Sequence, residues 1–303
     1  MSRKVLLIDV DSKIPNLALM KISAWKKSEG CEVGFNVSEP NEVWASCVFA
    51  KNRHKLDGLE TFYPNAEIHK GGGGYSLSVN LPEWVDLLKP DYSIYPECDY
   101  DLGFTTRGCI RNCYFCVVPR KEGKFHKVQH PREFHDESHK SIVLMDNNIL
   151  ADKDWFMEVT DWIMEKKLKV DFNQGLDARL IDDEVAERIC RLRALKPFRI
   201  AYDTPGCKDA VLKAIRLLKS HGMNTRSKLI CYCYVHDDTQ FDFTLERCNF
   251  LKEQNVLPYV MLNQDHNFDG KLKVLRRWTQ PAVFFKTSYE EYLDSRVKSN
   301  QIY

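Results

Sequence analysis

The chain has 303 residues, 44% hydrophobic and 29% charged, and its 44 Lys and Arg nearly balance 43 Asp and Glu for a net charge of +1. A chain of this length has room for two domains of ordinary size. So even a charge balance gives no ground for a nucleic-acid or anionic-membrane partner, and no apolar run approaches the roughly 18 residues that suggest a membrane span. The opening MSRKVLLIDVDSK runs its short apolar stretch straight into acids, unlike a secretory signal. A cytoplasmic location with no membrane partner is therefore expected. Eleven cysteines are many for a reducing compartment, where a disulfide framework is not expected. Metal ligation, catalysis and burial are their remaining uses.

Residues 4–10 (KVLLIDV) form a short, partly β-branched apolar run and read as a buried strand. Pro15 then opens a helical pattern with Ala18, Ile22 and Trp25 on one face, and Gly30 closes it. Residues 32–37 and 43–49 are again strand-like. The four glycines at 71–74 break the pattern, and Pro82 opens a second helix over residues 83–88. Strands alternating with helices mean an α/β fold with a parallel sheet. Residues 1–98 are expected to form a small Rossmann-like or flavodoxin-like domain.

From residue 101 the alternation continues. Strands are expected at 102–106, 141–146, 169–173, 198–203, 228–234 and 258–262. Helical faces lie between most of them: Trp155, Val159, Trp162 and Ile163; then Val185, Ile189 and Leu192; then Val211, Ile215 and Leu218, with Gly222 as the stop. Six βα units suit a partial (β/α)6, TIM-like barrel over residues 99–270, followed by a C-terminal extension, 271–303. No internal repeat or low-complexity tract is present.

The first expected barrel strand runs straight into residues 106–116, TRGCIRNCYFC, which contain C-x3-C-x2-C. Thiolate sulfur is soft and suits iron–sulfur clusters or zinc. Three close ligands, Cys109, Cys113 and Cys116, leave one iron of a 4Fe–4S cube without a protein ligand. The C-terminal end of a barrel strand is where such enzymes keep their sites, and Gly108 and Asn112 help the chain turn there. A structural zinc loop completed by His126 or His130 is the alternative, although zinc sites more often pair C-x2-C units at a distance.

C-x3-C-x-aromatic-C, with Phe115 as the aromatic, resembles the signature of the radical S-adenosylmethionine (SAM) superfamily. Residues 101–265 are similar throughout to that family's core domain. The run CVVPRKEG at 116–123 resembles the corresponding loop of cobalamin-domain members and methylthiotransferases. So does the later order DFNQGLDAR at 171–179, RIAYD at 199–203 and LKSHG at 218–222. The N-terminal domain resembles the cobalamin-binding type that precedes the barrel in one branch, and similar two-domain chains occur in phage and environmental sequences.

The resemblance implies an enzyme. A 4Fe–4S cluster on Cys109, Cys113 and Cys116 would bind SAM and cleave it reductively, with a flavodoxin or ferredoxin as electron donor. The resulting 5′-deoxyadenosyl radical would abstract hydrogen from a substrate that the resemblance does not name. By position it implies SAM contacts from Phe115 near the adenine, Asp146 and Asn147 after the second barrel strand, Arg179 after the third and Asp203 at the end of the fourth. Two departures stand out. Met145-Asp146-Asn147-Asn148 replaces the family's Gly-Gly-Glu, and Tyr232-Cys233-Tyr234-Val235-His236 stands where glycines are expected. Arg179 also suits a plain capping or surface ion pair.

Other features carry less. Cys231 and Cys233 share one side of a strand and read as buried packing, with a radical-relay or auxiliary-cluster role as the alternative. Cys31, Cys47 and Cys98 match the extra cluster ligands of methylthiotransferases poorly. The basic residues Arg120, Lys121, Lys124, Lys127 and Arg132, with Phe125, suit a solvated loop or contact with a nucleotide or nucleic-acid substrate. The glycines at 71–74 suit a tight turn or a backbone approach to a ligand. No histidine in a D-x-H-x-x-G pattern follows the first strand, so His-ligated cobalamin is not expected. Cobalamin bound without that histidine, and with it radical methyl transfer, is an alternative, as are methylthiotransferase-like nucleic-acid modification and a non-catalytic metal-binding module.

Overall fold

The computed structural model describes residues 2–298. The chain divides into two compact units, residues 1–147 and 148–303.

The first unit opens with β1 (Lys4–Asp9), α1 (Leu17–Ser28), β2 (Glu32–Gly34), β3 (Glu42–Ser46) and β4 (Glu67–Gly71). The four strands form one all-parallel sheet in the order β2-β1-β3-β4. Val5 and Leu7 pack on Leu19 and Ile22 of α1, while Ala45 and Cys47 pack on Leu56 and Leu59. Both faces are thus covered, as a parallel sheet requires. The helix starts later than Pro15 suggested. Asn16 is its N-cap, its side chain accepting the Leu19 N–H at 3.2 Å, an arrangement that contributes about 1 kcal/mol. Gly30, at φ +80°, ends the helix as expected. The helix expected over 83–88 is one turn, Glu83–Asp86, capped at Leu87. The strand β4 was not expected: only Ile68 among its residues is strongly apolar, and its place at the sheet edge demands no more.

The rest of the unit holds β5 (Asp101–Gly103), β6 (Thr106–Arg107), β7 (His126–Lys127) and β8 (Ser141–Leu144). β5 pairs in parallel with β8, and β6 pairs antiparallel with β7. The strand expected over 102–106 is therefore two strands with a break at Phe104 and Thr105. Gly103 is needed at the end of β5, since a Cβ there would meet the Phe134 ring at 2.7 Å.

The second unit carries α2 (Lys153–Glu165), β9 (Lys169–Phe172), α3 (Asp183–Arg191), β10 (Arg193–Ala194), β11 (Phe198–Ala201), α4 (Lys208–Ser220), β12 (Leu229–Val235), α5 (Phe241–Glu253), β13 (Leu257–Leu262), α6 (Gly270–Trp278) and α7 (Tyr289–Lys298). β9 pairs with β10, and β11, β12 and β13 lie side by side in that order, all in parallel. The helices bury the faces read from their periodicity. In α2, however, Phe156 takes the buried place and Trp155 stands half-buried at the stripe's edge. Leu272, Leu275, Trp278, Phe284 and Tyr289 pack with Val235, Cys248 and Val260 in one apolar cluster. The chain is thus an α/β protein with parallel sheets. Among the described residues no helix is long and apolar enough to cross a membrane.

Candidate metal centre

The three motif cysteines lie on the connection between β6 and β7, so an antiparallel ladder closes their loop at its base. Val128 N–H adds a bond to Thr105 O at 2.8 Å. Gly108 opens the loop at φ +73°, with Lys124 O where a Cβ would stand, 2.3 Å away; no other residue fits that approach. Cys109, Cys113 and Cys116 are all half-buried. Cys116 N–H donates to Cys113 O at 3.0 Å, making a turn of the second spacing, and Arg111 N–H points at Cys109 Sγ at 3.3 Å. Ile110, Tyr114 and Val117 stand exposed beside them, and the Phe115 ring meets Tyr114 edge-on at 5.1 Å.

Two residues after β8 reach the base of this loop. Asp146 is buried, and its carboxylate accepts from Thr105 Oγ1 and Thr106 Oγ1, each at 2.6 Å, from Thr106 N–H, and from Thr105 N–H at 3.2 Å. Burial pushes the Asp146 carboxyl above the usual range, against the pull of these donors. Asn147 Oδ1 accepts Gly108 N–H at 2.9 Å.

Arg107, the residue before that glycine, is clamped between Asp86 at 2.7 Å and Glu122 at 3.0 Å and lies 3.8 Å over the Phe104 ring. Asp86 also takes the buried Lys21 of α1, whose amine burial holds below the usual lysine range despite that partner. Sequence reasoning missed this chain of ions, because its members are spread over residues 21 to 122 and no spacing links them. A cavity of about 790 Å³ borders it, lined among others by Trp44, His69, Asn80, Arg107 and Lys121. The glycine run sits at its edge as a tight turn. A Cβ on Gly72 would meet Cys47 O at 2.3 Å, and one on Gly74 would meet the Phe49 backbone at 2.5 Å.

The donor set suits a soft metal: three half-buried thiols on a closed loop, with a backbone N–H directed at one sulfur. Such N–H contacts stabilise thiolate and cluster sulfur. Among the described residues no group of three His, Cys, Asp or Glu converges as around a bound ion. Thiolates repel one another and gather only around a metal's charge. Of the histidines proposed to complete a zinc site, His126 is exposed, with Nδ1 at 3.0 Å from Lys124 O. His130 is buried, and its Nδ1 accepts the backbone and Nε N–H groups of Arg132 at 3.2 and 2.9 Å. Of the basic residues after Cys116, Arg120, Lys124, Lys127 and Arg132 are exposed, whereas Lys121 Nζ donates to Val79 O and Asn80 Oδ1.

In the second unit, Arg179 forks onto Asp177, Nε to Oδ1 at 2.7 Å and Nη2 to Oδ2 at 3.1 Å. Asp203 follows β11 and accepts Tyr234 N–H at 2.8 Å. Burial pushes its carboxyl up, against that N–H and the charges of Arg247 and Arg179. Arg247, fully buried on α5, donates to Tyr202 O and Tyr234 O at 2.8 and 3.1 Å, tying the ends of β11 and β12. No local pattern marked it. Cys231 and Cys233 are fully buried on one side of β12, as the packing reading expected; Cys47 and Cys98 are buried too, and Cys31 is half-buried.

No protein-family model matches the chain, and no curated protein matches it.

Proposed function

We propose that the chain is a radical SAM enzyme in which Cys109, Cys113 and Cys116 hold a 4Fe–4S cluster. The observation that supports this most is the placement of the C-x3-C-x2-C cysteines, half-buried together on one loop that a ladder closes at its base and whose first residues are anchored by hydrogen bonds. When bound, the cluster and SAM together supply reductive cleavage of the sulfonium and a carbon-centred radical that abstracts hydrogen. The chain's own residues would do the rest. Cys109, Cys113 and Cys116 would hold the cluster through their thiolates. The loop's closed base keeps their spacing. Phe115 is the proposed adenine neighbour, and Arg179 and Asp203 are the proposed partners of SAM's carboxylate and ribose. In this reading the first four strands form a flavodoxin-like domain, the later parallel strands are staves of a partial (β/α)6 barrel, and a flavodoxin or ferredoxin delivers the electron.

The test is anaerobic reconstitution with iron and sulfide, followed by reduction in the presence of SAM. About four irons and four sulfides per chain, with 5′-deoxyadenosine released, are expected. One zinc per chain without sulfide would overturn the proposal in favour of a structural metal module. In the same assay Arg179→Ala and Asp203→Ala should weaken SAM binding roughly tenfold, the loss of one charge-assisted hydrogen bond, at unchanged iron content.

A further inference from the structure

Asp146 and Asn147 stand just past the C-terminal end of β8, and the hydrogen bonds accepted by their side-chain oxygens come from the approach of the cysteine loop. Asp146 is 4% exposed. Burying a carboxylate is costly unless donors replace its water, and here the donors are the N–H and hydroxyl groups of Thr105 and Thr106. Oδ1 alone takes three of them, which leaves it little capacity for a ligand. Asn147 takes the next accessible amide, that of Gly108, adjacent to Cys109. Residues 105, 106 and 108 are thus all fastened to one strand end. The break between β5 and β6 is what frees the two threonine N–H groups to point there, since Thr105 leaves the strand while Thr106 begins the hairpin.

We propose that Asp146 and Asn147 are positioning residues. They set the path of the backbone into Cys109, so that the first cluster ligand is presented in one geometry before any metal arrives. The proposal rests on the cluster reading for its purpose, but the anchoring itself is a property of the chain without metal.

Its test uses the full chain with Asp146→Ala, Asp146→Asn and Asn147→Ala. Hydrogen exchange is followed on the metal-free protein, and iron, sulfide, SAM affinity and the electron paramagnetic resonance of the reduced cluster are followed after reconstitution. Asp146→Ala should speed exchange in residues 104–110 by tenfold or more, with peptides of the second unit unchanged. It should lower iron incorporation at least threefold and split the resonance into more than one species. Asp146→Asn keeps the acceptor for three donors and should recover a single resonance and most of the iron. Asn147→Ala, the milder variant should Asp146→Ala fail to fold, should speed exchange at Gly108 and broaden the resonance. Unchanged loop exchange in Asp146→Ala and Asn147→Ala would overturn the inference. So would normal iron and an unaltered resonance with SAM affinity reduced tenfold, which would make these residues ligand contacts. A wild-type chain that takes up no cluster, while Asp146→Ala still loosens the loop, would defeat the cluster reading and leave the anchor standing.

Discussion

Two sets of three cysteines show how differently the two units use the same side chain. Cys109, Cys113 and Cys116 are half-buried on a hairpin connection, spaced along eight consecutive residues, with a backbone N–H turned toward one sulfur. Cys231, Cys233 and Cys248 are fully buried, two alternating along β12 and one on α5. Burial pushes the thiols of Cys231 and Cys248 well above their ordinary value of 9.0, so they stay protonated, unreactive and apolar, as packing residues do. If the loop holds a metal, as proposed, the loop and the core make opposite demands on sulfur. A ligand must be able to lose its proton and reach a metal, whereas a core thiol must keep its proton and fill space.

The most decisive way to break this comparison is to measure reactivity site by site. In the native, metal-free chain at pH 8, alkylation mapped by mass spectrometry should modify Cys109, Cys113 and Cys116 at least a hundredfold faster than Cys231, Cys233 and Cys248, since the buried thiols need local unfolding to react. Equal rates would mean the core cysteines are as accessible as the loop ones.

A second measurement asks whether the loop sulfurs act as a set. Replacing Cys109, Cys113 or Cys116 singly with Ala should lower reconstituted iron and sulfide at least tenfold, because water cannot replace a thiolate ligand. The melting temperature of the metal-free chain should move little, since none of the three belongs to an apolar core. The matching replacements in the core should do the reverse, and three single variants with full iron would show that the ligands lie elsewhere.

The smallest effect sharpens the other half of the comparison. Cys248→Ala leaves a small cavity beside Val235 and Val260 and should cost about 1 kcal/mol in denaturant unfolding with iron content unchanged. The pH dependence follows from the direction of the shift. A thiol whose folded pKa is raised contributes stability that is complete below the unfolded value, 9.0, and is lost as the pH rises above it, because the unfolded chain then binds fewer protons. The wild type should therefore lose more stability than Cys248→Ala between pH 8 and 10. A parallel pair of curves would show that this thiol is not held protonated by burial.

Much of the chain is legible in the sequence. The order of strands and helices follows from apolar periodicity, which is a property of neighbouring residues: KVLLID, the LICYCYV alternation of β12 and the faces of α3 and α4 each lie within one element. The cysteine spacing is local in the same sense, and it nominated the loop that the fold closes. Legibility failed where partners are distant. The split of the expected strand at Phe104 and Thr105 depends on Asp146, some forty residues later. Nothing near Thr105 announces it.

What the sequence determined by itself is therefore the class of the fold and the group of sulfurs, because backbone periodicity and ligand spacing are set over a few residues. What only the tertiary structure decided is how those sulfurs are presented. Lys21, Asp86, Arg107 and Glu122 become one chain of charges only after the elements pack. Asp146 and Asn147 become anchors only because β8 ends beside the broken strand. Buried polar groups must find partners, and which partners come within reach is fixed by the packing of whole elements rather than by the residues on either side.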